Sequence, residues 1–142
     1  MLNDIDKSNY LRGLLVISRL DQNVSDYEKR AVIRLSKILG FDPHFCSDAV
    51  EELVENPYIS ENAPKFTKQE IGKAFIMDAL KLAFSDNNFH LNELRWIRNV
   101  AKVNGLSKEY WLDLASKIRL KKAAEQIEYK FEIEKYLNEE KI

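Results

Sequence analysis

Apolar side chains recur at intervals of three and four residues along most of the chain, the spacing of amphipathic helices. No segment shows the sustained apolar–polar alternation that would indicate a strand, so the sequence predicts an all-α fold. The predicted helices cover approximately residues 8–20, 25–40, 42–56, 67–85, 90–105 and 107–118. Residues predicted to face the core at this spacing include Tyr10, Leu14, Leu35, Phe45, Ala49, Phe75, Leu82, Trp96, Ile97, Val100, Val103, Trp111 and Ile118.

Several residues predict where these helices begin and end. Ser25 with Glu28, and Thr67 with Glu70, have the spacing of capping boxes, in which a hydroxyl and a carboxylate each bind a backbone amide at the helix start. Asp42 precedes a proline and is predicted to be an N-cap. Two glycines are predicted to end the helices that precede them, namely Gly40 and Gly105.

Two segments of the chain, residues 21–41 and 86–106, repeat one sequence pattern. Aligned in register they share six residues, all polar or glycine: Asp21/Asp86, Asn23/Asn88, Glu28/Glu93, Arg30/Arg95, Lys37/Lys102 and Gly40/Gly105. A repeat of this kind predicts two pseudo-symmetric helical halves, of about residues 8–55 and 67–118, within one domain of residues 1–120.

The composition changes at Lys121, after which charged residues dominate. The apolar residues that lie close to one helical stripe, with Ile133 and Tyr136 off it, are Ala124, Ile127, Phe131 and Leu137. We predict that residues 121–142 form a charged amphipathic C-terminal helix, either continuous with the sixth helix or separated by a break near Arg119. Its stripe must cover the same domain or a second copy of the chain in a homodimer, since monomers rarely expose large apolar patches.

The bulk composition excludes several classes of protein. The chain has 142 residues, which favours a single domain. Lys and Arg number 22 against 23 Asp and Glu, and the net charge of −1 argues against a nucleic-acid binder. No stretch approaches the roughly 20 apolar residues that span a bilayer, so we expect no membrane insertion. A single cysteine, Cys46, excludes an internal disulfide, and without a signal-peptide pattern we predict a cytoplasmic protein.

The repeated order of an apolar helix, Asp-x-Asn-apolar, a downstream Glu and a helix ending in Gly-apolar resembles the tellurite-resistance TerB family. The N-terminal domain of a membrane-anchored DnaJ-like co-chaperone belongs to the same superfamily. The family turn usually reads Asp-Gly-x-apolar, and here Gln22 and Asn87 replace the glycine. The resemblance covers about residues 8–118 and implies an all-helical fold of two pseudo-symmetric halves. It also implies a bacterial stress-response association and acidic turns that bind divalent cations.

The repeated turns offer oxygen ligands for a divalent cation. The candidate metal ligands are Asp21, Asn23 and Glu28 in the first copy and Asp86, Asn88, His90 and Glu93 in the second. Carboxylate and amide oxygens suit calcium or magnesium rather than zinc, and two carboxylates in each turn predict roughly millimolar affinity.

The same residues also have a structural interpretation. Asp21 could end the first helix, Asn23 could adopt a left-handed conformation, and Glu28 could close the capping box with Ser25. In the second copy His90 takes the place of Ser25 and is a poor cap, so the second turn is the less well explained of the two.

Each repeat also carries a basic helix face. The residues at helical spacing are Arg30, Arg34 and Lys37 in the first copy and Arg95, Arg98 and Lys102 in the second. Such a face could receive an acidic protein partner or a phosphate group. The alternative is a solvated face with internal ion pairs.

No catalytic motif accompanies these features. The chain contains no Gly-rich phosphate loop and no Glu-x-x-His pair, and His44 and Cys46 lie two positions apart on a helix, where side chains do not face each other. We therefore expect a non-catalytic TerB-like module that binds protein partners and, at its acidic turns, calcium or magnesium. The alternative is a co-chaperone-like interaction or oligomerisation domain without metal.

Overall fold

A computed structural model of the chain describes residues 2–20, 26–51, 59–84, 91–124 and 132–134. These residues contain no β-strand and six α-helices: α1 (Asp4–Leu20), α2 (Asp26–Ile38), α3 (Pro43–Glu51), α4 (Gln69–Ala83), α5 (Leu91–Val103) and α6 (Lys108–Ala124). The predicted all-α class is confirmed for this part of the chain. Helix α1 begins earlier than the predicted Ser8, because the side chain of Asn3 accepts a 2.8 Å hydrogen bond from the amide of Asp6.

The core lies where α1 and α4 cross. Helix α1 packs against α2, α4 and α5, while α3 packs on α2 and α6 packs on α4 and α5. Phe75 of α4 is fully buried at the centre of an aromatic cluster. Its ring centroid lies 5.2 Å from Tyr10, 5.3 Å from Phe66 and 6.1 Å from Trp96, so α1, α4, α5 and the segment before α4 meet at one side chain.

Several helix ends follow the sequence predictions. Gly40 and Gly105 have φ angles of 93° and 73°, the left-handed region that favours glycine. The amide of the residue after each glycine donates to the carbonyl five positions before it, from Phe41 to Ser36 at 3.0 Å and from Leu106 to Ala101 at 2.9 Å. These bonds close a Schellman motif at both helix ends. The carboxylate of Asp42 accepts bonds of 2.9 and 3.2 Å from two amides of α3, as an N-cap does. Ser25 lies outside the described residues.

The predicted capping box of Thr67 and Glu70 is wrong. Helix α4 begins at Gln69, and its N-cap residue, Lys68, makes no side-chain capping bond. Thr67 instead donates its hydroxyl and its amide to the carboxylate of Asp6, at 2.5 and 3.0 Å. The hydroxyl of Thr67 therefore bonds to the buried carboxylate of Asp6 in α1, and it does not cap α4 as the local pattern predicted.

Three residues predicted to face the core are on the surface. Ile38, placed by its spacing on the core stripe of α2, is 36% exposed. Phe45 of α3 is 58% exposed, and Val103 at the end of α5 is 40% exposed. The inward side of α3 is formed by Cys46 and Val50. One residue along a helix turns the side chain by about 100°, so an assignment shifted by one position exchanges the two faces.

The connection between α3 and α4 is held by side chains of α1 and α5 and by Asn104, which follows α5. Its described part, residues 59–68, contains no helix. The donors and their carbonyl acceptors are Arg12 to Ser60 and Asn62 (2.7 Å each), Arg19 to Ile59 (3.0 Å), Trp96 to Glu61 (2.8 Å) and Asn104 to Pro64 (2.8 Å). Because polar backbone groups without secondary structure need partners, these bonds fix the path of the connection across the protein.

The C-terminal segment docks on its own domain where the structure describes it. Helix α6 runs without a break through Arg119 to Ala124. The stripe residues Ile127, Phe131 and Leu137 lie outside the described residues. Ile133, which the helical pattern placed off the stripe, is fully buried in the domain core. Across the described ranges, no helix combines the length and apolar character required to cross a bilayer.

Candidate functional site

The structure describes two of the seven residues predicted to bind a metal, Glu28 and Glu93. The other five lie outside the described residues: Asp21, Asn23, Asp86, Asn88 and His90. Among the described residues, no three His, Cys, Asp or Glu side chains are grouped closely enough to hold a metal ion. The calcium or magnesium sites at the repeated turns therefore remain predictions.

Glu28 and Glu93 occupy matching positions at the starts of α2 and α5. Each lies in the first turn of its helix, α2 or α5, and each is 1% exposed. A carboxylate in the first turn is stabilised by the positive end of the helix dipole, which helps to offset its burial. The shared glutamate of the repeat is thus a buried residue in both copies.

The first basic face, on α2, is partly used within the chain. Arg30, Arg34 and Lys37 are all exposed. The guanidinium of Arg34 lies 3.1 Å from the carboxylate of Glu134, in the C-terminal segment. Since the Arg34 side chain is 52% exposed, solvent weakens this ion pair.

The second basic face, on α5, forms one wall of a groove. Arg95, Arg98 and Lys102 are exposed and line a space of about 540 Å³ between α5 and α6. The remaining lining residues are Asn99, Leu106, Lys108 and Trp111. The structure therefore brings the three predicted cations of the second copy together with a fourth, Lys108, which the sequence interpretation did not include.

The cations of this basic groove form no ion pair with the acids that the structure describes. Of the seven lining residues within the described ranges, four are cationic and none is acidic. In the part of the chain that the structure describes, no carboxylate lies within 4.0 Å of any of the four cations. By contrast, Lys117 on α6 pairs with Asp113 at 2.9 Å. The groove consequently presents several unpaired donors to an anion.

Local sequence determines how α6 meets α5. The left-handed Gly105 reverses the chain after α5, and the hydroxyl of Ser107 accepts a 3.1 Å bond from the amide of Tyr110, which starts α6. Lys108 then lies in the first turn of α6, where the helix dipole adds positive potential. Trp111 follows three positions later on the same face of the helix, and with Leu106 it lies largely buried beneath the groove.

The chemistry of the described lining residues suits an anion. The guanidinium, ammonium and amide groups donate hydrogen bonds. Arginine forks bind carboxylates or phosphates through paired hydrogen bonds. The groove is therefore suited to holding an anionic group.

Comparisons with protein-family models, with curated proteins and with solved structures give no match. The resemblance to the TerB family stays an interpretation of the sequence pattern in residues 8–118. Function is accordingly inferred from the geometry of the basic groove.

Proposed function

We propose that the protein is a non-catalytic, TerB-like helical binding module that captures an acidic segment of a protein partner in the basic groove between α5 and α6. The observation that carries this proposal is the convergence of Arg95, Arg98, Lys102 and Lys108 on one groove, where no carboxylate of the described ranges pairs with them. Unpaired cations around a concave surface attract and orient anionic ligands.

The dimensions of the basic groove support a short peptide as its ligand. A volume of about 540 Å³ lies within the usual range of ligand sites. Trp111 and Leu106 are only 6% and 8% exposed, so they add a small apolar contact for one aliphatic residue of an acidic segment, and the exposed cations supply most of the attraction. The net charge of −1 for the whole chain limits general attraction of polyanions.

The repeat supplies a matched control for testing the groove. Arg95→Glu with Lys102→Glu reverses two charges in the groove, and Arg30→Glu with Lys37→Glu reverses the equivalent two charges on α2. We expect the groove variant to bind a labelled, glutamate-rich peptide containing one leucine roughly tenfold more weakly than the wild type, and the α2 variant to stay within about twofold. Fluorescence anisotropy measures both affinities.

Both variants have the same net charge. A difference between their affinities for the peptide therefore reports where the charges lie and not how many there are. An equal loss in the two variants would mean that the peptide responds only to net charge, and the proposal would then fail. Unchanged affinity in the groove variant would also overturn it. Raising the salt concentration should weaken binding to the wild type, as expected for exposed charges.

A further inference from the structure

A second surface of the protein holds a short peptide segment, and that segment belongs to the chain itself. Glu132, Ile133 and Glu134 contact α4 through Asp78 and α2 through Arg34, which are helices other than the pair that forms the basic groove. Ile133 is fully buried and joins the hydrophobic core. We call the surface that receives these three residues the segment cleft.

Asp78 of α4 captures the backbone of this segment. One carboxylate oxygen accepts a 2.6 Å hydrogen bond from the amide of Glu132, and the other accepts a 3.2 Å bond from the amide of Ile133. The second oxygen also accepts a hydrogen bond from the hydroxyl of Tyr10 on α1, which orients the buried carboxylate. Capture of two successive amides by one carboxylate depends on backbone conformation and not on the identity of the side chains.

Two further contacts give the segment cleft a preference for sequence. The buried position of Ile133 requires an aliphatic side chain, because a polar one would lose its hydration without a partner. Arg34 of α2 pairs with Glu134 at 3.1 Å, so the position after the aliphatic residue favours an acid. Backbone capture, an apolar anchor and one charge at the rim are the parts of a peptide-recognition site.

We propose that the segment cleft is a docking site for a segment of a protein partner in which an aliphatic residue is followed by an acidic one, and that Glu132-Ile133-Glu134 occupies it as an internal competitor. The internal segment is held by the buried side chain of Ile133, by two backbone amides and by one ion pair that is half exposed to solvent. A partner segment of the same kind could make each of these contacts. A tethered segment competes at an effective concentration of about a millimolar, so a partner binds only when the internal segment is weakened or its own affinity is higher.

The proposal is tested with the full chain and a labelled synthetic peptide of residues 129–136. In the wild type the internal segment blocks the cleft. Ile133→Asp places a charge in the apolar site and empties it, and Ile133→Ala weakens the same anchor more gently. We expect the peptide to bind Ile133→Asp at least about tenfold more tightly than it binds the wild type, with Ile133→Ala in between. Circular dichroism establishes that each variant is folded.

A charge exchange tests the specificity of the segment cleft. A peptide with lysine in place of Glu134 should bind Ile133→Asp weakly, and adding Arg34→Glu to that protein should restore its binding. A peptide with aspartate in place of Ile133 should bind none of the variants. If Ile133→Asp does not fold, the same series is run on Ile133→Ala.

Equal affinity for the wild type and the folded Ile133 variants would overturn the proposal, and so would binding that survives the aspartate in the peptide. The basic groove is independent of these results. The Arg95→Glu with Lys102→Glu variant should leave competition at the segment cleft unchanged, so either proposal can fail without the other.

Discussion

Asp6 in the first turn of α1 accepts both the hydroxyl and the amide of Thr67, which lies immediately before α4. The two residues are 61 positions apart in the chain. Asp6 is fully buried, so its carboxylate satisfies two donors that would otherwise compete for water. This contact joins the beginnings of two helices that form the centre of the core.

Removing the acceptor should destabilise the protein. We expect Asp6→Ala to lower the free energy of unfolding by about 2 kcal/mol, because it leaves two donors without their partner. Asp4→Ala, which removes an exposed acid from the same helical turn, controls for the helix dipole and should cost less than about 1 kcal/mol. Urea denaturation measures both values, and similar losses would show that Thr67 does not depend on Asp6.

Gly13 allows α1 and α4 to approach closely. A Cβ atom at this position would lie 2.5 Å from two ring atoms of Phe75, which is held by Tyr10, Phe66 and Trp96. We therefore expect Gly13→Ala to destabilise the protein by about 1–3 kcal/mol, although alanine is the better helix former.

Thermal or urea unfolding checks the effect of Gly13→Ala. Gly72→Ala is the comparison, because a Cβ atom there would meet Asn104 at 3.2 Å, a milder overlap than 2.5 Å, and should cost less than Gly13→Ala. Phe75→Leu removes the ring that the new Cβ atom would meet. In a protein that carries Phe75→Leu, Gly13→Ala should therefore lower the free energy of unfolding by less than it does in the wild type. A stabilising effect of Gly13→Ala would contradict the close approach of the two helices.

Asp78 should make stability depend on pH. Burial raises the pKa of its carboxyl from the ordinary 3.8 to about 7. Hydrogen bonds from Tyr10 of α1 and from the amides of Glu132 and Ile133, together with the positive charge of Lys81 on α4, act in the opposite direction. The folded protein thus holds this proton more tightly than the unfolded chain does.

The stability that protonated Asp78 contributes is complete below about pH 4 and is lost as the pH rises through about 7. Asp78→Asn cannot titrate, so its free energy of unfolding should fall less than that of the wild type between about pH 5 and about pH 8. Urea denaturation at both pH values gives the change in the free energy of unfolding for each protein. Comparing these two changes removes the part of the substitution's cost that does not depend on pH. Identical pH dependence in both proteins would contradict this role.

Binding of calcium or magnesium at the repeated turns has a separate test. We expect titration calorimetry to detect binding at roughly millimolar affinity, and the heat to disappear in Asp21→Asn with Asp86→Asn. Zinc serves as the comparison ion, since oxygen ligands favour the harder cations. Absent heat, or heat that persists in the double variant, would falsify the metal hypothesis.

The helices and several of their ends could be predicted because they depend on neighbours within a few residues. Asp42, Gly40 and Gly105 act locally, and their predicted roles are confirmed. Thr67 was assigned wrongly because a residue 61 positions away takes its hydroxyl. Local pattern contains no information about such a partner.

The candidate sites were predictable to different extents. The cations on α5 follow from helical spacing, whereas their meeting with Lys108 and Trp111 depends on how α6 packs. The segment cleft was missed, because its contacts join residues 54, 55, 68 and 100 positions apart. One signal was present: Asp78 interrupts an apolar run in α4, and an acid in such a run indicates a buried partner.

The bonds that hold residues 59–68 have a consequence for how the protein unfolds. A duplicated sequence would suggest halves that melt one after the other. Here Arg12 and Arg19 of α1 bind the same connection as Trp96 of α5 and Asn104, so neither helix can separate from the domain without breaking these bonds. We therefore expect α1 and α5 to unfold in one cooperative transition, and the amide of Phe66, bound at 2.9 Å by Asn104, to exchange its hydrogen only when the whole domain opens.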